Sequence, residues 1–442
     1  MHSSITAAYL TRFRSVAAGS SAAGSSAAES GGGGLLPLTG AQRRFLIARR
    51  RDPQSRTDVV PLFFAYPRGT VDLPRLHRAA VRLAASHPAL RGSFATVRGT
   101  PVLQLGGPSV AVERAETGPD GTAEEALRRA LLDWPADGPA LRLLLAAAPG
   151  DEEELLAVAL DHAACDEQSL GLVTAGLAAA YAEDGPAEPA ADDGTAAYRE
   201  TVELQLAAED AAASAAAHAY WAARLGGLGG AGDTGDAGPA ARSTGMVTHR
   251  LPAATGAARG AVFPALLDAV GAAAHRLGGG DRALALGYPW GGRPPGAAPV
   301  VGCFLNTLVH PAAGHRADTA LAGLDELSAA WWDDLDHADT PFDDVVRAAR
   351  SAGARWSGAL DGLLTFEDLQ RRPPLVLAGT AGRETHLAGR PLAAPLAVSA
   401  SHGDDLLVRL AWDRDRYPDA AAEAAFEALL STLRRHLGGP TA

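Results

Sequence analysis

The stretch from Leu155 to Tyr181 leaves the chain few ways to fold. Leu155-Leu156-Ala157-Val158-Ala159-Leu160 is an apolar run of strand length, and it stops abruptly at Asp161-His162-Ala163-Ala164-Cys165-Asp166-Glu167. Beyond this polar cluster, Leu170, Val173, Leu177 and Tyr181 fall on one face of a helix. A strand that ends in reactive side chains and turns into a helix holds those groups rigidly and exposes them at the turn. His162 and Asp166 are four apart, so the carboxylate can orient the imidazole or brace the turn that carries it. Taken alone, such a pair is more often a satisfied polar contact than a catalyst, and the rest of the chain has to decide.

At 442 residues the chain is too long for one ordinary core, so two lobes are expected. The basic residues are all Arg, and the formal net charge is -12. That balance argues against a nucleic-acid partner, which needs a basic face. The two cysteines, Cys165 and Cys303, lie far apart and form no CxxC or other metal-ligand spacing, so no metal is expected. They fit a reducing compartment without a disulfide framework. No apolar run has the length of a membrane span, and the first residues lack the apolar core of a secretory signal. A cytoplasmic protein that does not engage a membrane is the expectation.

Residues 1–34 are rich in Ala, Ser and Gly and predict a flexible arm with a short helix around Ala7–Val16. Thr39 and Asp72 are placed to cap helices. Strands are expected at Asp58–Tyr66, Val102–Leu105, Leu141–Ala146 and Leu155–Leu160, with the acidic turn at 150–154 as a solvated hairpin tip. One long helix is expected over 196–225. The Gly-, Ala- and Asp-rich stretch 226–244 then reads as a linker between a lobe at 35–225 and a lobe at 245–442. In the second lobe, strands are expected at Met246–Leu251, Ala283–Tyr288 and Leu363–Phe366, with a mostly extended stretch over Val301–Val309. Helices are expected at 263–277, 320–338, 341–350 and 419–437. A hairpin is expected around Gly403-Asp404. Strands alternating with helices in both halves predict two α/β lobes.

Several segments, in order, carry a resemblance. They are Leu38-Thr39 through Phe45, His87-Pro88-Ala89-Leu90-Arg91-Gly92-Ser93-Phe94, Asp161 to Glu167, Tyr220 to Leu225, Gly292-Arg293, Gly302-Cys303-Phe304-Leu305-Asn306-Thr307, and Pro341-Phe342-Asp343-Asp344-Val345. Their order and spacing resemble the condensation domains of nonribosomal peptide synthetases, relatives of chloramphenicol acetyltransferase, from about residue 36 to 439. Two residues depart from that family's His-His-x-x-x-Asp-Gly core: Asp161 stands at the first His and Glu167 at the Gly. The second His and the Asp are present as His162 and Asp166.

The resemblance implies an α/β fold of two chloramphenicol-acetyltransferase-like lobes in a V with a central tunnel. It implies acyl transfer from a carrier-protein phosphopantetheine thioester to an amine or alcohol, with the carrier supplied in trans, no cofactor bound directly, and a monomer. His162 would be the catalytic residue. Asp166, paired with Arg293, would brace the motif, with Asp161 in support, and Glu167, Ser169 and Asn306 are candidates to line the tunnel. Tyr220, Trp221 and Phe342 are expected in the core. A nucleophilic Cys165 is disfavoured against a small buried thiol. Three functions compete: a free-standing condensation enzyme, a non-catalytic platform that recruits another enzyme, and a ring-forming heterocyclization variant. The last would use Asp161, Asp166 and Ser169 as its Asp-x-x-x-x-Asp-x-x-Ser motif. Cys303 and Leu305 do not fit the segment such variants carry.

Overall fold

A computed structural model of the chain describes residues 4–23, 34–135, 137–183, 185, 193–229, 244–254, 257–279, 282–312 and 323–437. The chain divides into two compact units. The first takes Met1–Asp210 together with Gly291–Leu305 and Arg371–Leu387; the second takes Ala211–Trp290, Asn306–Gln370 and Ala388–Ala442. The break therefore falls before the linker expected at 226–244, of which residues 230–243 lie outside the described residues.

It falls in the last turn before the single helix expected over 196–225 is interrupted. Thr195–Ala212 and Ala215–Leu225 are separate helices, and the Ser214 side chain caps the second by accepting from the Ala217 N–H at 3.1 Å. A serine hydroxyl that satisfies a free amide stabilises a new helix start against an unbroken helix.

The first unit is built on a five-stranded sheet. Its order is Arg383–Thr385, Val59–Pro67, Glu153–Asp161, Leu141–Ala146, Val110–Arg114, antiparallel except for the last pair. Glu153–Asp161 is central and covered on both faces. Leu156, Val158 and Leu160 pack with Leu76, Leu83, Val173 and Leu177, while Ala157 and Ala159 pack with Leu127, Leu131 and Trp134. Alternate side chains enter different cores, which explains why this strand reads as one unbroken apolar run. The strand begins earlier than expected. Glu154 is inside it and buried, its carboxylate accepting from the Val71 N–H at 2.9 Å, so the acidic run is not wholly a solvated tip.

The N-terminal arm departs most from expectation. Ile5–Ala23 is one helix, and its Tyr9, Phe13 and Val16 are buried. The Tyr9 hydroxyl accepts from the Leu38 N–H at 2.7 Å and donates to the Pro101 carbonyl at 3.0 Å. The stripe at positions 9, 13 and 16 has helical spacing, but the Ala-, Ser- and Gly-rich composition around it hid the signal.

The second unit holds a six-stranded sheet in the order Asn306–Ala312, Leu284–Trp290, Gly362–Asp368, Leu396–His402, Asp405–Asp413, Thr244–Pro252. Gly362–Asp368 runs parallel to both its neighbours and the other pairs are antiparallel, the hairpin at 396–413 among them. Helices Ala257–Ala274 and Asp419–Leu437 share its core through Leu266, Val270, Phe426 and Leu430. Of the stretch expected to be extended over 301–309, only 306–309 is strand, the first part of Asn306–Ala312. Trp221 is buried in this unit, its ring N–H on the His337 carbonyl.

Candidate active site

The central strand of the first unit ends at the residue before the imidazole. The Asp161 N–H donates to the Ala140 carbonyl at 2.9 Å and the His162 N–H to the Asp58 carbonyl at 2.8 Å, so pairing on both sides holds the backbone up to the turn. His162–Ala164 is then a single 3₁₀ turn, capped by the Asp161 carboxylate, which accepts from the Ala163 N–H at 2.9 Å.

The His162 ring is half-buried, and its Nδ1 lies 3.0 Å from the Cys165 carbonyl oxygen. A carbonyl only accepts, so this contact puts the proton on Nδ1 and leaves the lone pair on Nε2. Phe45 stacks on the ring, with 4.6 Å between centroids and 24° between planes.

Asp161 is held by an arginine fork that the sequence reading did not anticipate. Arg49 Nη1 and Nη2 donate to its two oxygens at 3.0 and 2.7 Å, and Nε and Nη2 donate to Asp58 at 2.9 and 2.5 Å. Gln42, from the same helix, Gly40–Arg51, donates to the Ala163 carbonyl at 2.8 Å. Cys165 is fully buried, and burial pushes its thiol well above the ordinary range, which disfavours the thiolate that a nucleophile needs.

Asp166 opens the helix Glu167–Ala182 as one half of a capping box with Ser169. Its Oδ1 accepts from the Ser169 N–H at 3.0 Å, the Ser169 hydroxyl at 2.8 Å and Arg293 Nη2 at 3.1 Å; its Oδ2 accepts from the Phe304 N–H at 3.0 Å. The expected Asp166–Arg293 pair is therefore formed. Arg293 also donates to the Val300 carbonyl at 2.9 Å and lies over the Phe304 ring at 4.8 Å. The pair and its neighbours stitch residues 291–305 onto the start of the helix.

Ser169 belongs to that knot. It is fully buried and accepts from the Gly302 N–H at 3.1 Å. Glu167 is exposed and 3.9 Å from Arg372. Asn306 lies in the second unit, where its amide donates to the Ala338 and Thr340 carbonyls at 2.8 and 2.6 Å and its oxygen accepts from the Thr307 N–H. Its polar atoms are therefore engaged with backbone groups.

The residues that sequence reasoning missed are Gln42, Phe45, Arg49 and Asp58 in these roles. Positions 42, 45 and 49 share one helix face, a signal that was present, but nothing in the sequence said which element that face would meet. Among the described residues no group of His, Cys, Asp and Glu is arranged to hold a metal.

Comparison with known proteins places the chain in a family. Residues 34–442 match the family described as Condensation domain. CymA of Salinispora arenicola (strain CNS-205), a probable non-canonical nonribosomal peptide synthetase, is 32% identical over 343 residues, 71% of this chain and 4% of that protein. Tyrocidine synthase 2 of Brevibacillus parabrevis is 39% identical over 69 residues, 16% of this chain and 2% of that protein. The chain thus spans a small fraction of these curated relatives. Among solved structures, the first condensation domain of the calcium-dependent antibiotic synthetase, bound to a substrate analogue, superposes with a TM-score of 0.70 at 19% identity, covering 92% of this chain and 97% of that one. A mutant starter condensation domain of rhizomide synthetase RzmA, in complex with C8-CoA and Leu-SNAC, gives 0.68 at 18% identity, covering 92% and 95%.

Proposed function

Since the chain belongs to the condensation-domain family of nonribosomal peptide synthesis, we propose that it catalyses acyl transfer from a carrier-protein phosphopantetheine thioester to an amine or alcohol, with His162 as the proton acceptor. One observation carries the reading: the Nδ1 contact with the Cys165 carbonyl leaves Nε2 as the basic nitrogen. As the nucleophile attacks the thioester carbonyl, its proton passes to Nε2; the C–S bond then breaks, and the departing thiolate takes that proton from Nε2 and leaves as the free thiol on the carrier. A general base in this role contributes about 10²–10⁴ in rate. Asp166 is ion-paired and four times hydrogen-bonded, which supports a bracing role for it and not proton transfer. The C8-CoA in the complex of the rhizomide synthetase domain is in keeping with an acyl donor of this class.

A second reading has an observation of its own. Asp161 and Glu167 replace two residues of the family's core motif, and Asp161 is committed to an ion pair with Arg49, so a recruitment platform without chemistry is the alternative. Single-turnover transfer from an acyl-loaded carrier protein, with wild type and His162→Ala side by side, separates the two. A loss of about 10²-fold or more in His162→Ala, with carrier affinity unchanged, is expected. Equal product from both proteins would remove the catalytic reading.

A further inference from the structure

We propose that the helix Gly40–Arg51 is the device that orients the His162 ring, with Phe45 as its positioning residue; this rests on His162 being the proton acceptor. Three contacts at positions i, i+3 and i+7 of one helix face meet the catalytic turn. Gln42 holds the carbonyl of Ala163, Phe45 lies flat on the imidazole, and Arg49 grips the Asp161 carboxylate that caps the turn. The helix is itself anchored. Thr39 caps it, Arg43 pairs with the buried Glu209 at 3.3 Å, and the Tyr9 ring covers Arg43 at 4.2 Å.

The clamp matters because an imidazole can turn half a revolution about its Cβ–Cγ bond. That turn exchanges Nδ1 with Cδ2 and Nε2 with Cε1. A turned ring would place a C–H against the Cys165 carbonyl and another C–H where the basic nitrogen has to be. The Nδ1 bond selects one of the two orientations, and the flat contact with Phe45 keeps the ring plane from swinging between them. Misplacing a catalytic group by about 1 Å costs about 10²-fold in rate.

The test is Phe45→Leu in the full chain, with Phe45→Tyr as the conservative rescue. In single-turnover transfer we expect kcat to fall about 10-fold, KM to change less than about two-fold, and Phe45→Tyr to recover most of the loss. Ring ¹⁵N spectra provide a readout independent of activity, with the His162 signal identified by its absence in His162→Ala. Wild type is expected to show one neutral tautomer, protonated at Nδ1, and Phe45→Leu a mixture with faster proton exchange. A Phe45→Leu protein with wild-type kcat and a wild-type ring spectrum would overturn the proposal and reduce Phe45 to packing. If wild type itself transfers nothing while the spectra differ as described, the enzymatic reading fails and the clamp stands. Should Phe45→Leu not melt cooperatively, Phe45→Met takes its place and the same outcomes decide.

Discussion

Asp166 shows how chemistry marks a residue for reading. It has four donors around one buried carboxylate, and no neutral side chain of the same shape can accept from all of them. Breaking a buried pair costs about 3–5 kcal/mol, because the partner charge stays behind. Asp166→Asn should therefore lower the melting temperature as well as turnover, and a variant that melts like wild type but is inactive would return Asp166 to the chemistry. The thiols make a second check. Burial raises Cys303 as well as Cys165 well above the ordinary thiol range, so a thiolate reagent should label neither in the native protein and both after denaturation. The Asp166–Arg293 pair was readable because charged groups next to an apolar strand or inside a motif are conspicuous. The contacts of Phe45 and Arg49 were not, since an aromatic and an Arg on a surface helix look alike whether they meet water or the turn that carries His162.

Helices and strands with strong periodicity were legible nearly to the residue, as with Asp419–Leu437 and the hairpin at 396–413. The elements misread were those where composition outweighed pattern. The N-terminal helix Ile5–Ala23 lies before the matched family residues, yet it is packed into the first unit. Thr6 donates to the buried Glu209 at 3.1 Å, and burial, the main influence on that carboxyl, raises it above the usual carboxylate range. Each large apolar side chain fully buried contributes about 1.5–3 kcal/mol, and Tyr9, Phe13 and Val16 would all lose their seats with the helix. Removal of residues 1–23 should lower the melting temperature by roughly 5–10 °C in a thermal scan. An unchanged melt would make the helix an ornament.

For the whole protein, stability should depend on pH in a stated direction. Burial first, and then the Arg224 charge, hold His310 down at about 4. In the unfolded chain the same ring titrates near about 6.5. Between those values the unfolded chain binds a proton that the folded chain refuses, so stability is full above about 6.5 and falls as pH drops toward 4. His310→Gln should flatten the plot of melting temperature against pH over that window, and an unaltered slope would assign the acid sensitivity elsewhere.

That the first unit draws Arg383–Thr385 and residues 291–305 from far along the chain also has a meaning in time. A ribosome that has just released Val59–Pro67 has about 320 residues still to add before the strand's outer neighbour exists. At about 5–20 residues per second this is roughly 15–60 s of synthesis with an unpaired edge on the nascent sheet. Exposed edges template pairing with other chains. Expression should therefore respond to the rate of translation and to chaperone supply more than the final stability of the protein would suggest.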